Sequence, residues 1–208
     1  MKDIRFAKLV IFANGLLPLA LMVRDALRGN LGANPVEFII HTTGTLALVF
    51  LLLSLAVTPL RKILGLPWLV KLRRMLGLFA FFYGTMHLSA YAAFDREFNL
   101  LSIIEDTFKR PFITLGMAAF LLLLPLAITS TNRMVKRLGG PRWRLLHRAA
   151  YLAAVLGVAH YYMQVKADTR IPLLFASALG LLLVYRILNR FLPQFTERPP
   201  ARAEAPPR

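Results

Sequence analysis

Apolar side chains run along this chain in six stretches, roughly 8–27, 37–58, 72–94, 111–130, 146–164 and 171–192, separated by short polar connections. Each is close to the about 20 residues an α-helix needs to cross the hydrocarbon core of a bilayer. The pattern predicts an all-α polytopic membrane protein, a bundle of six transmembrane helices. Pro18 and Pro125 fall inside the first and fourth runs. Kinks there are tolerable because neighbouring helices can satisfy the freed carbonyls. Lys2, Arg5 and Lys8 precede the first run as they would in a signal peptide. No convincing small-residue cleavage site follows, and Arg24 and Arg28 do, so the run is expected to be a retained helix. The residues from Pro193, PQFTERPPARAEAPPR, are proline-rich and polar. They are expected to form a disordered cytoplasmic tail, 193–208, behind a membrane domain of residues 1–192.

The connections carry the charge unevenly, and this orients the bundle. The N-terminus, the second and fourth connections and the C-terminal end hold 19 basic residues against three acids, Asp3, Glu197 and Glu204. The opposite side holds seven of each, so the whole net charge of +16 lies on one face. The positive-inside rule then places both termini in the cytoplasm. Composition closes other classes. Of the 208 residues, 57% are hydrophobic and 17% charged, and the mean hydropathy is +0.58. A soluble domain would carry about 25% charged residues. A water-soluble enzyme is excluded, and the basic balance points to membrane lipid rather than nucleic acid. The chain has no cysteine, which excludes disulfides, thiolate zinc, iron–sulfur clusters and a catalytic thiol. A redox metal would have to be held by histidine.

There are four histidines, His41, His87, His147 and His160, all within or at the ends of the predicted spans. Ionisable residues in a membrane are costly and usually functional. His87 lies fifteen residues past Leu72 and His160 fifteen past Leu145, on spans that run the same way. Both are therefore about 22 Å up from the cytoplasmic side, at one depth. Two histidines so placed can ligate one iron from opposite sides, the geometry haem requires. One turn toward the membrane centre from the outer histidines stand Gly84, Gly157 and, after His41, Gly44. A small residue there lets a flat macrocycle lie against the backbone. Lone histidines and glycines also serve plain helix contacts, but a matched pair on parallel spans is harder to dismiss. His147 lies at the inner end of span five, thirteen residues before His160, a rise of about 19.5 Å that would suit a second haem. Its span-three counterpart is Arg74, a propionate partner, an axial neighbour or a snorkelling charge. Thirteen residues also turn about 220° beyond whole turns, so His147 and His160 need not face one cavity. His41 reads first as a helix contact or propionate partner, then as a ligand.

The strings RRMLGLFAFFYGTMHLSAY, KRPFITLG, LAITSTNRMVKRLGGPRWRLLHRAAYL and HYYMQVK resemble the MsrQ (YedZ) family, within the ferric-reductase-like transmembrane group. The resemblance covers about residues 5–190. It implies a six-helix, b-type haem subunit of the bacterial inner membrane, delivering electrons to a periplasmic molybdopterin methionine sulfoxide reductase of the MsrP kind. It also implies ligation by His87, His147 and His160, giving one haem, or two if the inner histidine finds an axial partner. Wider members of the group have two histidines on each of these helices, and here Arg74 takes the fourth place. Relatives often have tryptophan where this chain has Met163.

Too few residues follow Asn189 to fold as an FAD or NADPH domain. Electrons are therefore expected from membrane quinol or from a cytoplasmic flavin reductase. Arg133, Lys136, Arg137, Arg142 and Arg144 could attract an acidic partner or a flavin phosphate such as that of FMN, although fixing topology suffices to explain them. No nucleophile–base pair, carboxylate pair or molybdenum ligand stands out, so sulfoxide chemistry would belong to the partner. Two other classes compete with an electron conduit. A small transporter is disfavoured by the scarcity of acids within the spans and the lack of an inverted repeat. A non-redox membrane anchor would tolerate His87→Ala.

Overall fold

The computed structural model describes residues 4–191, and all regular structure among them is helical. Helices α1 (Ile4–Leu27) and α2 (Pro35–Leu64) lead through a 3₁₀ segment, Pro67–Leu72, into α3 (Arg73–Ala90). A π-helical turn, Tyr91–Asp95, ends α3. There follow α4 (Leu100–Lys109), α5 (Pro111–Ile128), α6 (Asn132–Leu138), α7 (Gly140–Leu146), α8 (Ala149–Gln164) and α9 (Arg170–Phe191). The expected tail, 193–208, lies outside the described residues.

Local chemistry explains the boundaries. The Asn34 side chain accepts a hydrogen bond from the Glu37 backbone N–H at 3.2 Å, and Pro35 occupies the first helical position, so α2 starts there. It stops at Gly65, which takes the left-handed conformation (φ 65°) that closes a helix C-terminus. Asn99 caps α4 through the Ser102 N–H at 3.1 Å, and Thr131 caps α6 through the Met134 N–H at 3.2 Å. Pro59 sits inside α2 and cannot bond the Leu55 carbonyl. Nη2 of Arg186, on α9, donates to that carbonyl at 2.7 Å, while its Nη1 donates to the Tyr151 hydroxyl. The guanidinium also lies 4.6 Å from the centre of the Tyr151 ring.

Helices α1, α2, α5 and α9 are long and apolar enough to cross a membrane on their own. The two that bear the paired histidines are shorter, 18 residues in α3 and 16 in α8. They occupy the middle of the bundle: α3 packs against α2 and α5, α8 against α5 and α2, and α9 closes on α2 and α8. Where α1 meets α3, the Tyr83 hydroxyl donates to the Gly15 carbonyl at 2.6 Å. A Cβ on Gly15 would stand 2.6 Å from the Phe79 ring, so only glycine permits that approach. Leu55, Ala80, Tyr83, Ala153 and Ala154 are buried at the centre. Large apolar residues such as Phe6, Leu9, Leu181 and Phe191 stand outward, uncovered by protein. Such a surface is sustainable only against lipid, and the chain is a multi-pass membrane protein.

The run expected as one span over 146–164 is interrupted. His147 closes α7, and α8 begins at Ala149, after His147 and Arg148. The His147 N–H bonds the Trp143 carbonyl at 3.0 Å, but the Arg148 N–H bonds Leu145 at 3.1 Å, a tighter turn than an α-helix. His147 and His160 therefore do not share one continuous α-helix, because this tighter turn stands between His147 and α8.

Candidate functional site

Helices α3 and α8 bring His87 and His160 together, with ring centres 6.0 Å apart and planes at 77°. Each ring is tied to the helix paired with its own. Nδ1 of His87 donates to the Ile40 carbonyl of α2 at 2.8 Å, and Nδ1 of His160 to the Phe112 carbonyl of α5 at 2.6 Å. A carbonyl only accepts, so both Nδ1 atoms carry the proton and both Nε2 atoms keep a free lone pair. Second-sphere bonds of this kind orient imidazole ligands on metals.

A glycine makes each tie reachable. Four residues after Ile40 comes Gly44, whose Cβ would stand 2.9 Å from Nδ1 of His87. Four residues after Phe112 comes Gly116, whose Cβ would stand 2.8 Å from Nδ1 of His160. Each imidazole thus packs against a helix where a side chain is missing. Two imidazoles bound to one metal through Nε2, with bonds of about 2 Å and ring centres about 1 Å behind each nitrogen, stand about 6 Å apart. The observed separation meets that requirement.

The pair lines a cavity of about 760 Å³, which Gly84 and Gly157 also line. A Cβ at Gly84 would meet nothing nearer than Phe120 at 3.7 Å, and one at Gly157 nothing nearer than Leu48 at 3.5 Å. Helix packing does not demand glycine at either position, so both leave room on the cavity wall for a flat group. The polar residues of the wall include Arg110 and Lys166, two cations that suit the carboxylates of such a group. His41 stands at the rim, where the Gln164 amide donates to its Nε2 at 3.0 Å and Glu37 Oε1 lies 3.8 Å away.

His147 and Arg74 belong to a second cavity, about 540 Å³, with Lys8, Lys71 and Arg73. No carboxylate lines it among the described residues. Thr129 Oγ1 donates to the Pro125 carbonyl at 2.6 Å, so it must accept from Nε2 of His147 at 3.1 Å. The Trp143 ring stacks on His147 at 3.9 Å and its Nε1 donates to the Thr129 carbonyl at 3.0 Å. The tautomer of His147 is therefore the reverse of that of the other two, and its Nε2 is occupied. Nη1 of Arg74 donates to Asn132 at 2.7 Å. Leu51 and Leu123 line both cavities and form the partition between them.

Residues 43–158 match the family described as ferric reductase like transmembrane component. Over 184 residues the chain is 50% identical to the protein-methionine-sulfoxide reductase heme-binding subunit MsrQ of Rhodospirillum rubrum, covering 88% of each chain. It is 48% identical to the subunit of the same name from Herminiimonas arsenicoxydans, over 86% of this chain and 84% of that one. The Caulobacter vibrioides subunit is also 48% identical, over 82% and 81%. The chain belongs to the MsrQ family.

Gly116, beneath His160 in this MsrQ-family chain, is among the residues that sequence reasoning missed, with Arg110, Lys166, Thr129 and Trp143. Gly44 was legible only as a neighbour of His41, yet it seats His87. A signal for Gly116 does exist. KRPFITLG repeats at Phe112 and Gly116 the four-residue spacing of Ile40 and Gly44.

Proposed function

We propose that this MsrQ-family chain holds one b-type haem between His87 and His160 and passes electrons across the membrane to a periplasmic molybdopterin methionine sulfoxide reductase. The carrying observation is the pair of imidazoles 6.0 Å apart, each with Nδ1 committed to a carbonyl and Nε2 free. When bound, haem supplies one-electron chemistry, its iron alternating between ferric and ferrous states. The protein residues bind, orient and insulate. His87 and His160 would hold the iron through their free Nε2 atoms. The Ile40 and Phe112 carbonyls fix the ring orientation and raise ligand basicity. Gly84 and Gly157 would leave room for a flat group, and Arg110 and Lys166 would suit its carboxylates. Leu51 and Leu123 keep water out of the partition toward the second cavity. The names of the relatives, heme-binding subunits of a methionine sulfoxide reductase, support the same reading.

Electrons enter at the second cavity. Its lining of Lys8, Lys71, Arg73 and Arg74 without a carboxylate favours a phosphate-bearing flavin such as FMN, bound or brought by a cytoplasmic flavin reductase, over neutral quinol. His147 then serves this donor site with Trp143 and Thr129 rather than a second haem. The six helices α1, α2, α3, α5, α8 and α9 span the inner membrane with both ends of the chain in the cytoplasm, as the excess of basic residues on that side dictates. The test is haem-to-protein stoichiometry and the absorption spectrum of purified protein. One haem per chain with a sharp ferrous α-band is expected, lost in His87→Ala and His160→Ala. A wild-type protein grown haem-replete and purified without a Soret band would end the proposal.

A further inference from the structure

Helix α4 is built inside out for a helix on a water-facing surface. It packs on the protein through Ser102, Ile103, Asp106 and Thr107, and Asp106 is buried. That carboxylate accepts from the Tyr91 hydroxyl at 2.8 Å and pairs with Arg96 and with Arg110. The outer arc is apolar. Leu101 and Phe108 are 80% and 82% exposed, and Leu100 and Ile104 are exposed beside them on the same arc. At 100° per residue these four fall within one quadrant or slightly more of the helix surface. Glu105 and Lys109, joined as an ion pair, follow along one edge of that arc. Three surfaces result: polar toward the protein, apolar outward, charged between.

The backbone is held to this arrangement. Before α4 the chain reverses through Glu97 and Phe98, both left-handed at φ 47° and 57°. Each such residue costs about 1–2 kcal/mol, and the reversal leaves Phe98 and Phe94 exposed beside the apolar arc. After α4 only Arg110 intervenes before α5, whose outward Leu121, Leu124 and Ile128 are part of the lipid-facing belt. The apolar surface of α4 thus leads, across one residue, into a helix long and apolar enough to cross a membrane.

We propose that α4 lies along the membrane interface, with Leu100, Leu101, Ile104 and Phe108 inserted among lipid and the Glu105–Lys109 edge facing water. Lipid is the occupant because an amphipathic helix with aromatic and leucine side chains on one face, flanked by charges, partitions to that depth, and because a spanning helix begins one residue after it. The consequence reaches the histidine cavity. Tyr91, Asp95 and Arg110, on the segments that flank α4, line that cavity, so the interface plane sets the level of its mouth. This inference does not depend on which cofactor the cavity holds.

The absence of cysteine makes the test clean. Single cysteines at Leu101, Ile104, Phe108, Glu105 and Lys109 in the full chain would carry a nitroxide label in lipid nanodiscs, with Leu121→Cys as the lipid-facing reference. Power saturation by oxygen and by a water-soluble nickel complex reads the surroundings of each label. Oxygen should dominate at 101, 104 and 108 as at 121, and nickel at 105 and 109. Nickel dominance at all five α4 positions overturns the proposal. So does nickel access at 101 and 108 that disappears only on adding a soluble reductase partner, which would make the face a protein dock. The fluorescence that Phe108→Trp adds to that of the wild type, with its Trp68 and Trp143, should be quenched by brominated lipid but not by aqueous iodide, and the reverse pattern overturns the proposal too.

Discussion

Replacing Gly116 by alanine tests the imidazole seat directly. The new Cβ would stand 2.8 Å from Nδ1 of His160, 3.0 Å from Cε1 and 3.2 Å from Cγ. Non-bonded carbon contacts settle at about 3.5–4.0 Å, so the ring must retreat by about 0.7 Å or more. The Phe112 carbonyl bond, 2.6 Å in the wild type, would stretch past the about 3.2 Å at which such bonds remain good. Its loss costs about 1 kcal/mol. Alanine repays about that much in helix propensity, so the bundle itself should stay folded with an almost unchanged melting temperature. Metal ligation is less forgiving, because metal–nitrogen distances tolerate only about 0.2 Å. The His160 bond should therefore be lost or strained while the fold survives. The assay is haem loading with electron paramagnetic resonance of the ferric protein. Gly116→Ala should trade a low-spin, two-imidazole signal for a high-spin one, with reduced loading. Gly180→Ala, where a Cβ meets nothing within 4 Å, should be silent. If Gly116→Ala keeps full loading, the low-spin signal and the wild-type midpoint potential, the seat has no bearing on ligation and the reasoning fails.

Gly44→Ala should act likewise on His87, since its Cβ would stand 2.9 Å from Nδ1 and 3.0 Å from Cε1; redox titration of the two variants should show parallel shifts. His147→Ala should leave haem content and spectrum intact but slow reduction by the cytoplasmic donor, which rapid-mixing absorbance would detect; loss of haem would instead make His147 a ligand. Arg186→Gln should lower stability by about 1–3 kcal/mol, because it frees the Leu55 carbonyl that Pro59 cannot bond. Pro59→Ala returns an N–H to that carbonyl, so in thermal unfolding the double variant should lose less than the sum of the singles, and strict additivity would refute the link.

The membrane class, the runs that became α1, α2, α5 and α9, and the shared level of His87 and His160 could all be read from the linear order of residues. Hydropathy is additive along a segment and helix rise is constant, so length and depth need no knowledge of neighbours. Rotation about each axis is another matter. Helices α1 and α5 are apolar nearly all round, and where lipid is as apolar as the core no stripe marks the inner face. Which carbonyl each imidazole meets, and that Gly44 and Gly116 lie beneath the rings, therefore emerged only when the helices packed. The same holds for the break at His147, which comes with the bonding and stacking of its ring against Thr129 and Trp143. Residues 129 and 147 lie on opposite sides of two short helices and one glycine pair, and no periodicity connects them. Local composition chose the solvent and the spans; three-dimensional packing chose the rotational phase, and with it the chemistry of every histidine.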